Sequence, residues 1–165
     1  MTHATTTLGE ATALRALQDR ADITDVLYRY ASTIDRFDHE GLRATLADDL
    51  WAQYGNAEPV LGGDAVAAWI AEMTAPVIWQ HHLLSVYHVD LDGDEAKALV
   101  YHTSHQIFED DPDSAKLLVG RYHNELRREP DGWKISRLVL ELGWAEAKLD
   151  SAGYFALVGG RGPSL

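Results

Sequence analysis

The fold is decided by residues 80–108, QHHLLSVYHVDLDGDEAKALVYHTSHQIF. Two runs, Gln80–Leu91 and Ala96–Phe108, are rich in branched and aromatic residues. They flank Asp92-Gly93-Asp94-Glu95, a strong hairpin signal. With Gly93 and Asp94 as the turn, Asp92 faces Glu95 and Leu91 faces Ala96. Counting outward, Val86 meets Tyr101, Leu84 meets Thr103 and His82 meets His105. Opposed residues share a sheet face, so these six side chains are expected to line one surface. A bulge would shift that register.

Downstream, Asp110–Ser114 with Pro112 reads as a turn. Lys116–Arg128 and Trp133–Ala145 read as a second hairpin around Pro130-Asp131-Gly132. Alternation along its first strand sends Gly120, Tyr122, Asn124 and Leu126 one way and Arg121, His123, Glu125 and Arg127 the other. Upstream the pattern is helical. Leu14, Leu17, Ile23, Val26, Leu27, Tyr30, Ala31 and Ile34 form an apolar stripe on a helix spanning Ala11–Asp35. Asp38 is placed to cap a second helix, His39–Ala47. Trp51, Gln53 and Tyr54 read as a short strand. Gly62-Gly63 breaks the chain, and Asp64 is placed to cap a third helix, Ala65–Met73, which ends before Pro76. Helices followed by a mostly antiparallel sheet define an α+β fold. One domain over residues 1–165 is expected, with its core at about 14–147 and a flexible or flap-like tail after Asp150.

The 26 acidic residues outnumber 14 basic ones, giving a net charge of −12. That balance argues against nucleic-acid and anionic-membrane partners, both of which need basic patches. The absence of cysteine excludes disulfides, thiolate nucleophiles and zinc–thiolate sites, and fits a cytoplasmic location. Met1–Thr7 lacks the basic start and apolar run of a signal peptide. No apolar stretch approaches the roughly 20 residues that span a bilayer.

Chemistry concentrates at a few residues. Asp35 ends the first helix, where a carboxylate opposes the helix dipole and so suggests another use. His82 and His105 are expected on one half-apolar sheet face. A neutral imidazole abstracts protons near neutral pH, and a carboxylate on its other ring nitrogen fixes the tautomer. Tyr122 and Asn124 offer a hydroxyl and an amide to an oxygen that gains charge. Tyr30, Trp51, Tyr54, Leu84, Val86 and Tyr101 complete the expected ligand contacts. This set suits proton abstraction beside a carbonyl, followed by elimination or isomerisation, and needs no cofactor. A metal site among His81, His82, His102 and His105 is disfavoured, because adjacent strand residues point to opposite faces and no HExxH segment is present. Nucleophile-elbow, phosphate-loop and dinucleotide fingerprints are absent.

Three segments, taken in order, resemble the SnoaL-like group of the NTF2-like superfamily, whose relatives include scytalone dehydratase and hexachlorocyclohexane dehydrochlorinase. They are ITDVLYRYASTIDRFD (23–38), HHLLSVYHVDLDGDEA (81–96) and GRYHNELRREPDGWKIS (120–136), with Trp144 in a closing strand. The resemblance implies a cone-shaped α+β barrel around an apolar cavity. It further implies an Asp35–His82 general base, His105 as a second pocket histidine, and Asn124 as a pocket amide. Tyr122 stands where scytalone dehydratase has Ser, and the dehydrochlorinase's Arg near position 138 is replaced by Leu138. The expectation is a cofactor-independent, dehydratase-like lyase or isomerase acting on a small apolar hydroxylated or carbonyl compound. The alternatives are a non-catalytic binding or assembly domain of the same fold and a polyketide-type aldol cyclase. Family analogy adds a homo-oligomer, dimer or trimer.

Overall fold

Two glycine turns organise the second half of the chain. Gly93 and Gly132 adopt φ of 63° and 127°, values that side chains with a Cβ resist, and each reverses a long strand onto its neighbour. The computed structural model describes residues 8–150; the tail expected after Asp150 lies outside them. The elements run α1 (Leu8–Asp35), α2 (His39–Ala44), β1 (Leu46–Tyr54), β2 (Val60–Leu61), α3 (Gly63–Thr74), β3 (Val77–Asp92), β4 (Glu95–Phe108), β5 (Asp111–Glu129) and β6 (Gly132–Asp150).

These strands form one six-stranded sheet in the order β2-β1-β6-β5-β4-β3. Every neighbouring pair is antiparallel except β1 with β6. The sheet curves around its helices without closing, since β2 and β3 remain edges. The expected α+β architecture is therefore present as an open cone rather than a closed barrel. Its inner face packs Leu84, Val100, Leu126 and Leu138 against Ile23, Leu27 and Ile34 of α1 and Val66 and Ile70 of α3. Burying each such aliphatic side chain is worth about 1.5–3 kcal/mol. No described helix is long and apolar enough to cross a membrane.

Several element boundaries differ from expectation for identifiable reasons. Leu14 and Leu17 belong to the apolar stripe, yet both are exposed, because residues 9–18 of α1 carry no core contact before Asp19 and Ile23. Asp38 caps α2 by accepting from Gly41 N–H at 2.8 Å. The cap of α3 is Gly62, with no side-chain bond, because Asp64 is drawn instead to Arg43. β1 starts five residues before Trp51. Its pairing with β6 is irregular between Leu46 and Trp51, where Asp48 and Asp49 turn outward to Arg43 and Arg127. Those two acids hid the strand in the sequence.

The largest correction is in the β3–β4 register. Next to the turn the pairing runs as expected, with Asp92 opposite Glu95 and Leu91 opposite Ala96. Between Val86 and His88 the strand bulges, and Tyr87 is left without an opposing residue. From Val86 back to Trp79 the pairs are shifted by one position: Val86 meets Val100, Leu84 meets His102, His82 meets Ser104 and His81 meets His105. A one-residue slip exchanges the faces. The β4 residues that share the inner face are thus His102, Ser104 and Gln106, while Tyr101, Thr103 and His105 turn outward.

Candidate active site

Asp35 and His82 meet where the C-terminus of α1 reaches the start of β3. Asp35 Oδ1 lies 2.6 Å from His82 Nδ1, and Asp35 Oδ2 accepts from the His82 backbone N–H at 3.0 Å. A carboxylate can only accept, so Nδ1 carries a ring proton, and in the neutral imidazole the lone pair lies on Nε2. Both Asp35 oxygens are used, which fixes the carboxylate as well as the imidazole. The two side chains are 22% and 8% exposed, so the pair is largely shielded from water.

His82 lines a pocket of about 410 Å³ between the inner sheet face, α1 and α3. Besides His82, its polar groups are Tyr30, Tyr54, Thr74, Tyr122, His102, Ser104 and Gln106; Trp69, Ile70, Met73, Phe108, Leu118, Leu140 and Leu142 supply much of the apolar wall. Tyr30 and Tyr54 share a hydrogen bond at 2.9 Å between their hydroxyls. Tyr54 stacks on Trp69 at 4.6 Å, and Tyr30 meets the Tyr122 ring edge-on. Burial pushes the pKa of all three phenols well up, reinforced for Tyr30 by Tyr54 and for Tyr122 by Tyr30. They stay protonated at neutral pH and act as donors.

His102 is 2% exposed, with its ring 5.2 Å from that of His82 and 5.0 Å from that of Tyr122. Neither of its nitrogens has a hydrogen-bond partner. Burial, helped by the nearby His82 imidazole, pushes its pKa down to about 4 against the opposing pull of Asp35. It is therefore a neutral imidazole at pH 7.

Of the residues expected at the site, Tyr30, Tyr54, His82 and Tyr122 line the pocket, and Asp35 stands behind His82. The bulge turns the two expected on β4, His105 and Tyr101, to the other face. His105 stacks on His81 at 5.6 Å on the outer face, and Tyr101 lies against Tyr87 there. Leu84 is core, and Val86 packs against that core. Trp51 lies under the Arg137 guanidinium at 3.9 Å, because β1 pairs it with Leu61 on one side and Arg137 on the other. Asn124 is inward and buried but packs beside Ala98 and Leu138, away from the pocket lining. His102, Ser104 and Gln106 were missed because they have the parity that an unbulged hairpin would turn outward. Among the described residues no cluster of three or more His, Cys, Asp or Glu is grouped to hold a metal.

Comparison with known proteins agrees with this architecture. A model of the SnoaL-like domain matches residues 15–139. An uncharacterized protein of Mycobacterium tuberculosis is 27% identical over 128 residues, 74% of this chain and 84% of the relative. The solved structure of a hexachlorocyclohexane dehydrochlorinase from Novosphingobium barchaimii superposes with a TM-score of 0.74 at 16% identity, covering 83% of this chain and 94% of that one. A protein from Kribbella flavida superposes with a TM-score of 0.73 at 26% identity, covering 79% and 95%.

Proposed function

The chain belongs to the SnoaL-like domain family, and from that premise we propose that it is a cofactor-independent lyase or isomerase of the dehydratase kind, acting on a small, apolar hydroxylated or carbonyl compound. The observation that carries this reading is the 2.6 Å contact between Asp35 and His82 Nδ1 at the wall of an apolar pocket. In the proposed reaction His82 Nε2 takes a proton from the carbon beside a carbonyl. The electron pair moves onto the carbonyl oxygen as an enolate. Tyr30, Tyr54 and Tyr122 are the donors for that oxygen; only one proton is used between Tyr30 and Tyr54, so the pair keeps an O–H for the ligand. Asp35 stabilises the imidazolium that forms. Collapse of the enolate then expels a β-hydroxyl, which leaves as water with the proton from His82. Return of that proton to a different carbon gives isomerisation instead. His102 stays neutral and offers an N–H, in place of the role first expected for His105.

The test is exchange of the α-protons of 4-(4-hydroxyphenyl)butan-2-one in deuterated water, followed by NMR. Wild-type protein accelerates exchange, and His82→Ala and Asp35→Asn each lower the rate at least ~10²-fold while circular dichroism stays native. Undiminished exchange in both variants removes the mechanism. Ligand binding without any exchange leaves a non-catalytic binding domain.

The same proposal includes a homo-oligomer, dimer or trimer. It is supported by the outer sheet face, which exposes Trp79, Leu83, Tyr87, Tyr101 and Trp144. Sedimentation velocity at micromolar protein should give a mass above that of one chain, and a clean monomer overturns the assembly.

A further inference from the structure

β4 presents three polar side chains to the pocket, His102, Ser104 and Gln106, and the general base uses none of them. Ser104 is 0% exposed, and its hydroxyl has no partner. A buried hydroxyl left unmet costs about 1–3 kcal/mol, so an empty bond at this position is unfavourable unless a ligand completes it.

Gln106 is held in one orientation by a short relay. The backbone carbonyl of Ile34 can only accept, so Gln80, itself buried, turns its Nε2 there at 2.8 Å. That leaves Gln80 Oε1 to accept from Gln106 Nε2 at 3.1 Å. Reversing either amide would set two oxygens or two nitrogens face to face. Gln106 Oε1 is therefore left without a protein partner among the described residues, on a side chain that lines the pocket.

We infer that Gln106, with Ser104 between it and His102, is a specificity-determining residue that reads a second polar group of the ligand, a hydroxyl donor, farther along β4 than the carbonyl end that meets the tyrosines and His82. The inference rests on the proposed use of the same pocket. Ser104 stands directly opposite His82, and alternate strand residues are about 7 Å apart, so Gln106 stands about 7 Å farther along β4 than the base. On the remaining wall Trp69, Ile70, Met73 and Leu118 offer a donor no acceptor; Thr74 also lines the pocket, and its hydroxyl is engaged with Ile70 O at 2.8 Å. The ligand class is thus an apolar body with a carbonyl at one end and a hydroxyl at the other.

A matched pair of probes tests this by calorimetry: 4-(4-hydroxyphenyl)butan-2-one and its isostere 4-(4-methylphenyl)butan-2-one. Wild-type protein should bind the hydroxyl compound about tenfold more tightly, the worth of one buried neutral hydrogen bond. Gln106→Met should bring the two affinities together, and Ser104→Ala should narrow the gap. Gln80→Met, which leaves Gln106 intact but free to turn, should narrow it too, so the outcome does not depend on one variant folding. Equal affinities in wild type, no binding of the hydroxyl compound, or a preference unchanged in Gln106→Met and Ser104→Ala overturns the inference. So does a preference lost only in His82→Ala, which would put the hydroxyl at the base. Failure of the general-base reading shows in proton exchange, not in this ratio of affinities, so the two are separable.

Discussion

His102 couples the pocket to the stability of the whole chain. In the unfolded chain its imidazole titrates at an ordinary value near 6.5, whereas burial holds it neutral in the fold down to about pH 4. Above pH 6.5 both states are neutral at this residue, and it adds no pH dependence. As pH falls from 6.5 to 4 the unfolded chain gains a proton that the native one refuses, so stability declines, by about 3 kcal/mol in full. Below pH 4 the loss levels off. Urea midpoints between pH 7 and pH 4 should therefore fall more steeply for wild type than for His102→Phe; parallel curves would mean that the imidazole is readily protonated in place. A smaller prediction concerns Asp38, whose carboxylate meets the Gly41 N–H at the start of α2. Asp38→Ala should cost about 1 kcal/mol, read from the same denaturation. Asp35 and His82 were legible at this scale because each stands at the end of a strongly periodic segment. His102 was not, because its parity depends on a bulge that no residue type near Tyr87 announces.

Strands β5 and β6 are held close at Gly120. A Cβ there would lie 2.4 Å from the Glu141 carbonyl oxygen, at the point where the β5–β6 register shifts. The same residue stands opposite His102 on β4. Gly120→Ala must therefore move backbone rather than a flexible side chain, and should cost about 1–3 kcal/mol, as overpacked positions do. Gly143 is the control: its added Cβ would sit 3.6 Å from Val119 O, an ordinary contact. Gly143→Ala should stay within about 0.5 kcal/mol of wild type. Equal urea midpoints for the two variants would show that the β5–β6 irregularity yields freely. The hairpins themselves were plain in the sequence because glycine turns and alternation act over a few residues. The bulges were not, since they arise where long strands twist around α1 and α3, and that demand comes from the assembled sheet. The early part of β1 was hidden for a related reason: Asp48 and Asp49 interrupt the apolar pattern, and only distant Arg43 and Arg127 make their outward turn favourable.

Across the whole molecule, charge works against compactness. Twelve acidic residues in excess share a body whose radius of gyration is about 15 Å for this length. Arginines are concentrated where they join elements: Arg43 bonds Asp48 and Asp64 and so ties α2 to β1 and α3, while Arg128 reaches Asp19 of α1 and Asp94 of the β3–β4 turn. The pairs to the exposed Asp48, Asp64 and Asp94 are worth about 0–1 kcal/mol each, whereas Asp19 is buried and its pair with Arg128 is screened less. Salt acts on both effects with opposite signs. At about 10 mM the screening length is roughly 30 Å, so the excess acids repel one another through the entire fold. At 150 mM it is roughly 8 Å, and only contacts persist. The unfolded chain spreads the same charge over a larger volume and gains less from screening. Because paired groups lie within a few ångströms, moderate salt removes the long-range repulsion before it removes the pairs. The melting temperature should therefore rise between 10 and 150 mM sodium chloride, by about 2–4 °C for each kcal/mol of relieved repulsion. A fall over that range, at fixed protein concentration, would mean that the Arg43, Arg127 and Arg128 contacts outweigh the repulsion of the acidic surface.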